Sequence, residues 1–244
     1  MIEDLKVQKE KLIHSLWVAG GLSALMIFLH LLFLILPVDK LYWGIFPRDF
    51  HQWYGIFTGH FIHSSWSHLF SNLPPLVVTT LLIFFFYRSI GWAVLSLTLI
   101  ATGFAVFIFA RSSTHIGASG LVYGLIAFVF FSGLFRRNIK SIALTGIVAI
   151  LYSGYSAGFL PIDEQVSWES HLFGAIAGLW TAFIFKNYRE HDDNDKLYDW
   201  KGLDRTPKDY FLERDTFEKT IAEREEEEQK KKEADQQNSW NSSW

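Results

Sequence analysis

Several stretches of about 17–22 residues in this chain contain no charged side chain, and no other feature restricts the fold as much. A helix of that length crosses a hydrocarbon core of about 30 Å, whereas a soluble domain does not need several such stretches. Backbone groups in lipid must find hydrogen-bond partners within the segment, and the alternating pattern of a barrel strand is absent from the sequence. The sequence therefore predicts an all-α membrane protein.

Six segments are expected to cross the membrane as helices. Their approximate bounds are 16–36, 68–87, 90–110, 119–135, 139–160 and 170–185. Pro37 closes the first span and Pro161 the fifth, because proline does not continue a helix. The first apolar run follows a charged segment and lacks a small-residue cleavage site, which favours a retained helix over a signal peptide. The predicted organisation is an N-terminal segment 1–15, a six-helix membrane domain 16–185 and a charged tail 186–244.

The distribution of Lys and Arg predicts the orientation of the six spans. Positive side chains gather before the first span, in the second-to-third and fourth-to-fifth turns, and after the sixth span. They include Lys6, Lys9, Lys11, Arg88, Arg136, Arg137, Lys140, Lys186 and Arg189. These four segments lie on one side of a six-span protein, so both termini are expected in the cytoplasm.

The first outer loop and the tail differ in composition. Residues 37–67 are rich in aromatic and poor in charged side chains, which predicts a loop in the interfacial zone of the bilayer. The tail contains a run of acids followed by bases, which is typical of an exposed helix or a disordered segment. The net charge of −3 argues against nucleic acid as a partner, and the absence of cysteine excludes disulfide and thiolate chemistry.

Four polar side chains lie at the starts of predicted spans, where ionisable groups are costly and usually face a bundle interior. His68 and Asn72 lie in the second span, Ser119 opens the fourth and His171 opens the sixth. The predicted topology puts all three helix ends at the outer side of the membrane. These residues, distant in sequence, are therefore expected to share one membrane depth.

A serine and a histidine at one depth predict nucleophilic catalysis. A neutral His171 imidazole can take the proton of the Ser119 hydroxyl and later protonate a leaving amine. Because no carboxylate lies within the fourth or sixth span, we predict a dyad, with the Tyr123 ring packed on the imidazole. The helix N-terminus at Ser119, together with His68 and Asn72, is expected to stabilise an oxyanion. This chemistry needs no cofactor and no metal.

Small residues support the approach of the fourth and sixth spans. Gly117 and Gly120 allow a tight entry around the serine between them. Gly120 and Gly124 are four residues apart, as are Gly174 and Gly178, and this spacing lets two membrane helices pack closely. Close packing of the two helices would bring the hydroxyl to the imidazole.

At these residues the chain resembles the rhomboid family of intramembrane serine proteases. The run Gly117–Gly120 matches the family's GxSG, and Ser170–Gly178 matches AHxxGxxxG except that serine replaces the first alanine. The run His68–Asn72 matches HxxxN, and Tyr123 matches the tyrosine that stacks on the catalytic histidine in bacterial members. The resemblance covers about residues 16–185, and it implies a six-transmembrane-helix bundle.

The resemblance implies that the chain cleaves other membrane proteins within or near their transmembrane segments, so its partners would be such substrates and the lipid bilayer. Substrate entry is expected to need movement of the fifth span and the loop Pro161–Trp168. Two features depart from the family: Trp53-Tyr54 stands where members usually have Trp-Arg, and Pro74 with Pro75 is expected to bend or delay the second span.

Other functions stay open at the level of sequence. A rhomboid-like protein without activity would bind transmembrane clients, but neither the serine nor the histidine is missing. A small transporter would have polar residues near mid-membrane. A metal site on the loop histidines is conceivable, but no HExxH motif is present and solvated side chains are the expected state. These histidines are His51, His60, His63, His68 and His115.

Overall fold

The computed structural model describes residues 2–161, 167–188, 190 and 219–241, and no β-strand occurs within them. The chain divides into two compact units, residues 1–194 and 195–244. The helices of the first unit are α1 (Ile2–Ile35), α2 (Gly55–Thr58), α3 (Trp66–Phe86), α4 (Gly91–Phe109), α5 (Ser119–Arg136), α6 (Ile139–Leu151) and α7 (Trp168–Ile184). Short 3₁₀ helices cover Lys40–Trp43, Phe50–Gln52, Gly59–Phe61 and Ser153–Phe159. The predicted all-α class is confirmed.

Four of the described helices, α1, α3, α4 and α5, are long and apolar enough to cross a membrane. The prediction of one continuous helix over 139–160 is wrong, because α6 ends at Leu151 and the 3₁₀ helix Ser153–Phe159 departs from it at 66°. The two pieces qualify as one broken span. With its 17 residues α7 is shorter than the other spans, so a sixth crossing stays a prediction.

The second predicted span begins earlier than expected. Ser65 caps α3 by accepting a hydrogen bond from the His68 amide, so the helix starts at Trp66. It continues through Pro74 and Pro75 to Phe86, so the expected delay is wrong. Each proline removes only one donor and has a helical φ, a cost that membrane helices tolerate when packed against others.

The centre of the first unit is α5, which packs against α3, α4, α6 and, most extensively, α7. Its Leu121, Leu125 and Phe128 are fully buried. At the contact with α7, a Cβ on Gly174 would overlap the Gly120 carbonyl, and a Cβ on Gly178 would overlap the Gly124 carbonyl. The two backbones therefore touch directly, which aligns the first turn of α5 with the first turn of α7.

The loop between α1 and α3, residues 36–65, is tied to the rest of the unit by polar contacts. Its Arg48 guanidinium donates to the carbonyls of Ile108 and Ala110, at 3.0 and 2.8 Å. Ile45 forms an isolated antiparallel bridge with His115. Large aromatic side chains such as Phe50 and Trp53 are exposed. The loop is thus fixed at its polar positions, while its exposed aromatics agree with an interfacial location.

The second unit contains α8 (Ile221–Asn241). Its exposed side chains pair one turn apart, Glu226 with Lys230 at 2.8 Å and Glu228 with Lys232 at 3.5 Å. Of the two states expected for this run of charges, the structure has the helix. Residues 191–218 of the predicted tail, and residues 162–166 of the predicted entry loop, lie outside the described residues.

Candidate active site

Ser119 is the first residue of α5, and the chain reaches it through a turn that requires glycine. Gly117 has φ +109°, a conformation that L side chains rarely adopt. A Cβ at this position would also lie 2.6 Å from His68 Nε2. The His68 imidazole therefore packs on the backbone that leads into the serine, and the Ser119 side chain is half-buried.

His171 lies in the first turn of α7, and two neighbours fix its ring. The Tyr123 ring stacks on it with a centroid separation of 4.1 Å and an interplanar angle of 9°. Its Nδ1 lies 2.8 Å from the Gly158 carbonyl. Since a carbonyl only accepts, Nδ1 carries the proton, and in the neutral ring Nε2 is then the acceptor. This tautomer is the one that a general base needs.

Ser119 and His171 lie on facing turns of α5 and α7. Tyr123, which stacks on the imidazole, follows Ser119 by one helical turn. Gly120, which follows Ser119, and Ser170, which precedes His171, approach so closely that a Cβ on Gly120 would lie 3.0 Å from the Ser170 carbonyl oxygen. Within the described part of the chain, no hydrogen bond joins the Ser119 hydroxyl to the imidazole. Catalytic hydrogen bonds are often long without substrate and tighten when it binds.

The two residues predicted to hold an oxyanion have different surroundings. His68 Nδ1 lies 3.1 Å from the Ser64 hydroxyl, and Nε2 faces the turn before Ser119. With the hydroxyl donating to Nδ1, Nε2 carries a proton toward that turn. The buried Asn72 instead donates from Nδ2 to the His68 carbonyl at 2.7 Å, within its own helix. The structure therefore brings His68 to the serine turn and ties Asn72 to α3.

Sequence reasoning underestimated the loop histidines. His60, His63 and His115 are buried, so the expectation of solvated side chains is wrong for them. Among the five histidines only His51 is exposed, and His68 is half-buried. Burial, with a smaller contribution from the neighbouring His68, lowers the pKa of His63 to about 4. The signal available in the sequence was their position in an aromatic segment with few charges. No three described His, Asp or Glu side chains lie close enough together for a metal ion.

His63 touches the serine turn directly. The amide of Ala118, the residue before the serine, donates to His63 Nε2 at 3.4 Å. The His63 and His68 rings meet edge to face at 5.1 Å. His63, which precedes α3, and His68, in its first turn, thus both lie against the backbone turn that leads into Ser119. His63 accepts a hydrogen bond from this turn, and the His68 ring faces it.

Gly158 is the contributor that the sequence did not indicate. It lies in the 3₁₀ helix after α6, and a Cβ there would overlap the Tyr123 hydroxyl and lie 2.9 Å from His171 Nδ1. In the same segment, the Tyr155 carbonyl accepts a hydrogen bond from the Tyr123 hydroxyl at 2.7 Å. The sequence predicted this region only as an entry route. The segment contacts Tyr123 and His171 through the carbonyls of Tyr155 and Gly158. Every residue has a backbone carbonyl, so no pattern of side chains in the sequence indicates these contacts.

Known proteins resemble this chain over the region that contains the site. The family model of the Rhomboid domain matches residues 50–188. An uncharacterized protein of Mycobacterium tuberculosis is 32% identical over 184 residues, covering 69% of this chain and 76% of its own length. An uncharacterized protein of Mycobacterium leprae is 32% identical over 183 residues, with coverages of 69% and 72%. The chloroplastic rhomboid-like protein 11 of Arabidopsis thaliana is 26% identical over 164 residues, with coverages of 58% and 55%.

Proposed function

Because this chain belongs to the rhomboid family, we propose that it is an intramembrane serine endopeptidase. It hydrolyses peptide bonds in or near transmembrane segments of other membrane proteins. The observation that supports this most is the His171 ring, held between the Tyr123 ring and the Gly158 carbonyl next to the helix that begins with Ser119. That arrangement selects the tautomer and the orientation of a general base.

In the proposed reaction, His171 Nε2 takes the proton of the Ser119 hydroxyl as its oxygen attacks the substrate carbonyl carbon. The imidazolium then gives this proton to the leaving amine, and the acyl group stays on the serine. Water, deprotonated by Nε2, attacks the acyl carbon, and the serine leaves with the proton. The Gly158 carbonyl does the orienting work of the carboxylate in a catalytic triad, because it accepts from Nδ1 throughout.

The oxyanion of the tetrahedral intermediate is proposed to bind at the start of α5. The Ser119 amide is one of the unsatisfied donors of a helix N-terminus, where the dipole favours negative charge. His68 Nε2 supplies a second donor beside that turn. The Asn72 amide has two hydrogens, and one is donated to the His68 carbonyl, which leaves the other for the oxyanion.

The substrate must unwind locally, because a stable helix hides its carbonyls within its own hydrogen bonds. We propose that it enters past α6 and the 3₁₀ helix Ser153–Phe159, whose break at Tyr152 is the bend described above. We further propose that both termini are cytoplasmic and that the site opens to the outer face, as the Lys and Arg distribution indicates.

The test is cleavage of a labelled transmembrane peptide by the purified full-length protein in detergent. We expect Ser119→Ala and His171→Ala to abolish cutting, whereas the matched changes Ser96→Ala and His51→Ala at exposed positions leave it intact. Activity should persist in chelator. Cutting by both site variants at the wild-type rate would contradict the dyad.

A second candidate is a rhomboid-like protein that binds transmembrane clients without cutting them. The lack of a hydrogen bond between the Ser119 hydroxyl and the His171 imidazole favours it. The same experiment separates the two, because a client binder retains the peptide intact and keeps binding it after Ser119→Ala.

A further inference from the structure

His115 lies in the loop between α4 and α5, residues 110–118, and its side chain reaches the start of α7. Its Nδ1 lies 2.5 Å from the Ser167 hydroxyl, which lies 2.5 Å from the Ser170 hydroxyl. Its Nε2 lies 3.1 Å from the Arg111 carbonyl. Because that carbonyl only accepts, Nε2 carries the proton and Nδ1 accepts from Ser167. The hydroxyl of Ser170 then donates to Ser167, and the chain of hydrogen bonds has one consistent direction.

The surroundings of His115 stabilise this arrangement of hydrogen-bond donors and acceptors. The residue is 2% exposed, and burial lowers the pKa of its imidazole. The charged groups that face it, Arg111 and Glu169, act in opposite senses on that pKa. The ring is therefore neutral at neutral pH, as the acceptor role of Nδ1 requires.

The chain of hydrogen bonds ends beside the proposed base. Ser167 is the N-cap of α7 and accepts from the Ser170 amide at 3.4 Å. Ser170 immediately precedes His171, and it is the residue that replaces alanine in the family pattern. A second link joins the same two elements, because Arg111 pairs with the buried Glu169 at 3.4 Å. The first turn of α7 is thus fixed to the 110–118 loop by two side-chain links, His115 with Ser167 and Arg111 with Glu169.

The backbone of His115 makes a further connection. Its carbonyl accepts from the Ile45 amide and its amide donates to the Ile45 carbonyl, both at 2.9 Å. One residue therefore contacts three segments: the 36–65 loop through its backbone, α7 through its side chain, and the serine turn through the chain itself, four residues before Ser119.

We propose that His115 is a positioning residue of the active site, which sets the distance between Ser119 and His171 by fixing the start of α7 to the loop that leads into α5. The inference rests on the proposed function. It names a group outside the dyad and the oxyanion site, and outside the motifs that match the family. Its effect is on geometry, where a displacement of about 1 Å can reduce turnover by up to about a hundredfold.

The test compares four variants of the full-length protein. His115→Phe keeps a ring and loses both hydrogen bonds, His115→Asn keeps an acceptor for Ser167, and Ser170→Ala removes only the last hydroxyl. His51→Phe is the matched control on an exposed histidine. The readouts are kcat and KM for a transmembrane peptide, and the hydrogen–deuterium exchange rate of the first-turn amides of α7.

We expect His115→Phe to lower kcat by about tenfold or more at nearly constant KM, and to raise the exchange rate of the α7 amides by a similar factor. His115→Asn should restore kcat and the exchange rate to within about threefold of the wild-type values. Ser170→Ala should give values between those of His115→Asn and His115→Phe. His51→Phe should match the wild type. A purely structural role would reduce the folded fraction without a kcat effect per folded molecule, and would show no rescue by asparagine.

Two failures are distinguishable. An unchanged amide exchange rate in His115→Phe would overturn the inference, whatever the activity. A wild-type protein that neither cuts the peptide nor reacts at Ser119 would overturn the proposed function, even if exchange at α7 still responds to His115. If His115→Phe does not fold, Ser170→Ala decides, because a wild-type kcat and exchange rate in that variant would also overturn the inference.

Discussion

The contact between α5 and α7 and the segment formed by α6 with the 3₁₀ helix Ser153–Phe159 are packed very differently, yet both hold His171. At the first, glycines bring two backbones together so closely that a Cβ on Gly174 or Gly178 would overlap a carbonyl of α5. In the second, α6 approaches α5 closely at Ser141, opposite Gly133, but farther along the segment the packing is open. Gly146 and Gly154 have no atom within 4 Å of a built Cβ, and Ile150 is 79% exposed. The base is carried by the tightly packed region and oriented by a carbonyl of the loosely packed one.

This difference connects substrate entry with catalysis. Regions with few buried contacts open at low free-energy cost, while densely packed ones open only with global unfolding. If the bent segment moves to admit a substrate, the hydrogen bond between Gly158 and His171 changes with it, while the α5–α7 contact stays.

The largest effect is expected at the tight contact. Gly178→Ala puts a Cβ onto the Gly124 carbonyl, so we expect a loss of about 3 kcal/mol in the free energy of unfolding. Gly146→Ala, the matched control in α6, has open space and gains helix propensity of up to about 1 kcal/mol. Thermal unfolding in detergent measures both, and equal transition temperatures for the two variants would remove the contrast between the regions.

Acid should weaken the turn that leads into α5, at the edge of the tightly packed region, through His63, which accepts a hydrogen bond from the Ala118 amide. Its pKa is about 4 in the folded protein and about 6.5 when unfolded, so the unfolded state binds more protons between these values. Stability is therefore present above pH 6.5 and is lost as the pH falls toward 4, by roughly 3 kcal/mol for this group. Unfolding measured across that window in wild type and His63→Gln checks it, and equal pH slopes would contradict it.

The loosely packed side should affect turnover more than stability. Gly158→Ala displaces the carbonyl from His171 Nδ1, and we expect kcat/KM to fall about tenfold, which corresponds to about 1.4 kcal/mol. Gly154→Ala, in the same segment with open space around it, should stay within about twofold. An equal fall in kcat/KM in both variants would show that turnover depends on the packing of the whole segment and not on the position of the Gly158 carbonyl.

The smallest effect is expected for the tyrosine that links the two regions. Tyr123→Phe keeps the ring stacked on His171 and loses only the hydrogen bond to the Tyr155 carbonyl. We expect kcat/KM to fall about fivefold, in line with about 1 kcal/mol for one hydrogen bond. The peptide assay measures it, and Tyr123→Ala should cost more because it also removes the stacking. Equal losses in the two variants would assign the whole effect to the hydroxyl.

Much of the tightly packed region could be predicted from the sequence, because its determinants are side chains at helical spacing. The pairs Gly120/Gly124 and Gly174/Gly178 predicted the approach of two helices, and those helices meet at these residues. The start of α5 at Ser119 followed from the glycines around it. The four-residue spacing of the glycines and their small size are enough to predict such a contact between helices.

The loosely packed region could not be predicted in the same way. The apolar run 139–160 is long enough for one helix, and the Ser and Gly residues of 153–158 are also compatible with a membrane helix, so they do not by themselves indicate the break after Leu151. The contribution of Gly158 is a backbone carbonyl, and that of His115 depends on Ser167, 52 residues away in the chain. Burial of the loop histidines likewise results from tertiary contacts. These features follow from the fold and not from local pattern.

The most direct test of the proposed dyad is the rate at which a fluorophosphonate labels the purified protein, with the modified residue mapped by mass spectrometry. We expect label on Ser119 in the wild type and in His51→Ala, and its loss in His171→Ala, because the imidazole must take the proton of the hydroxyl. Label on another residue, or equal labelling rates with and without the His171 imidazole, would contradict it.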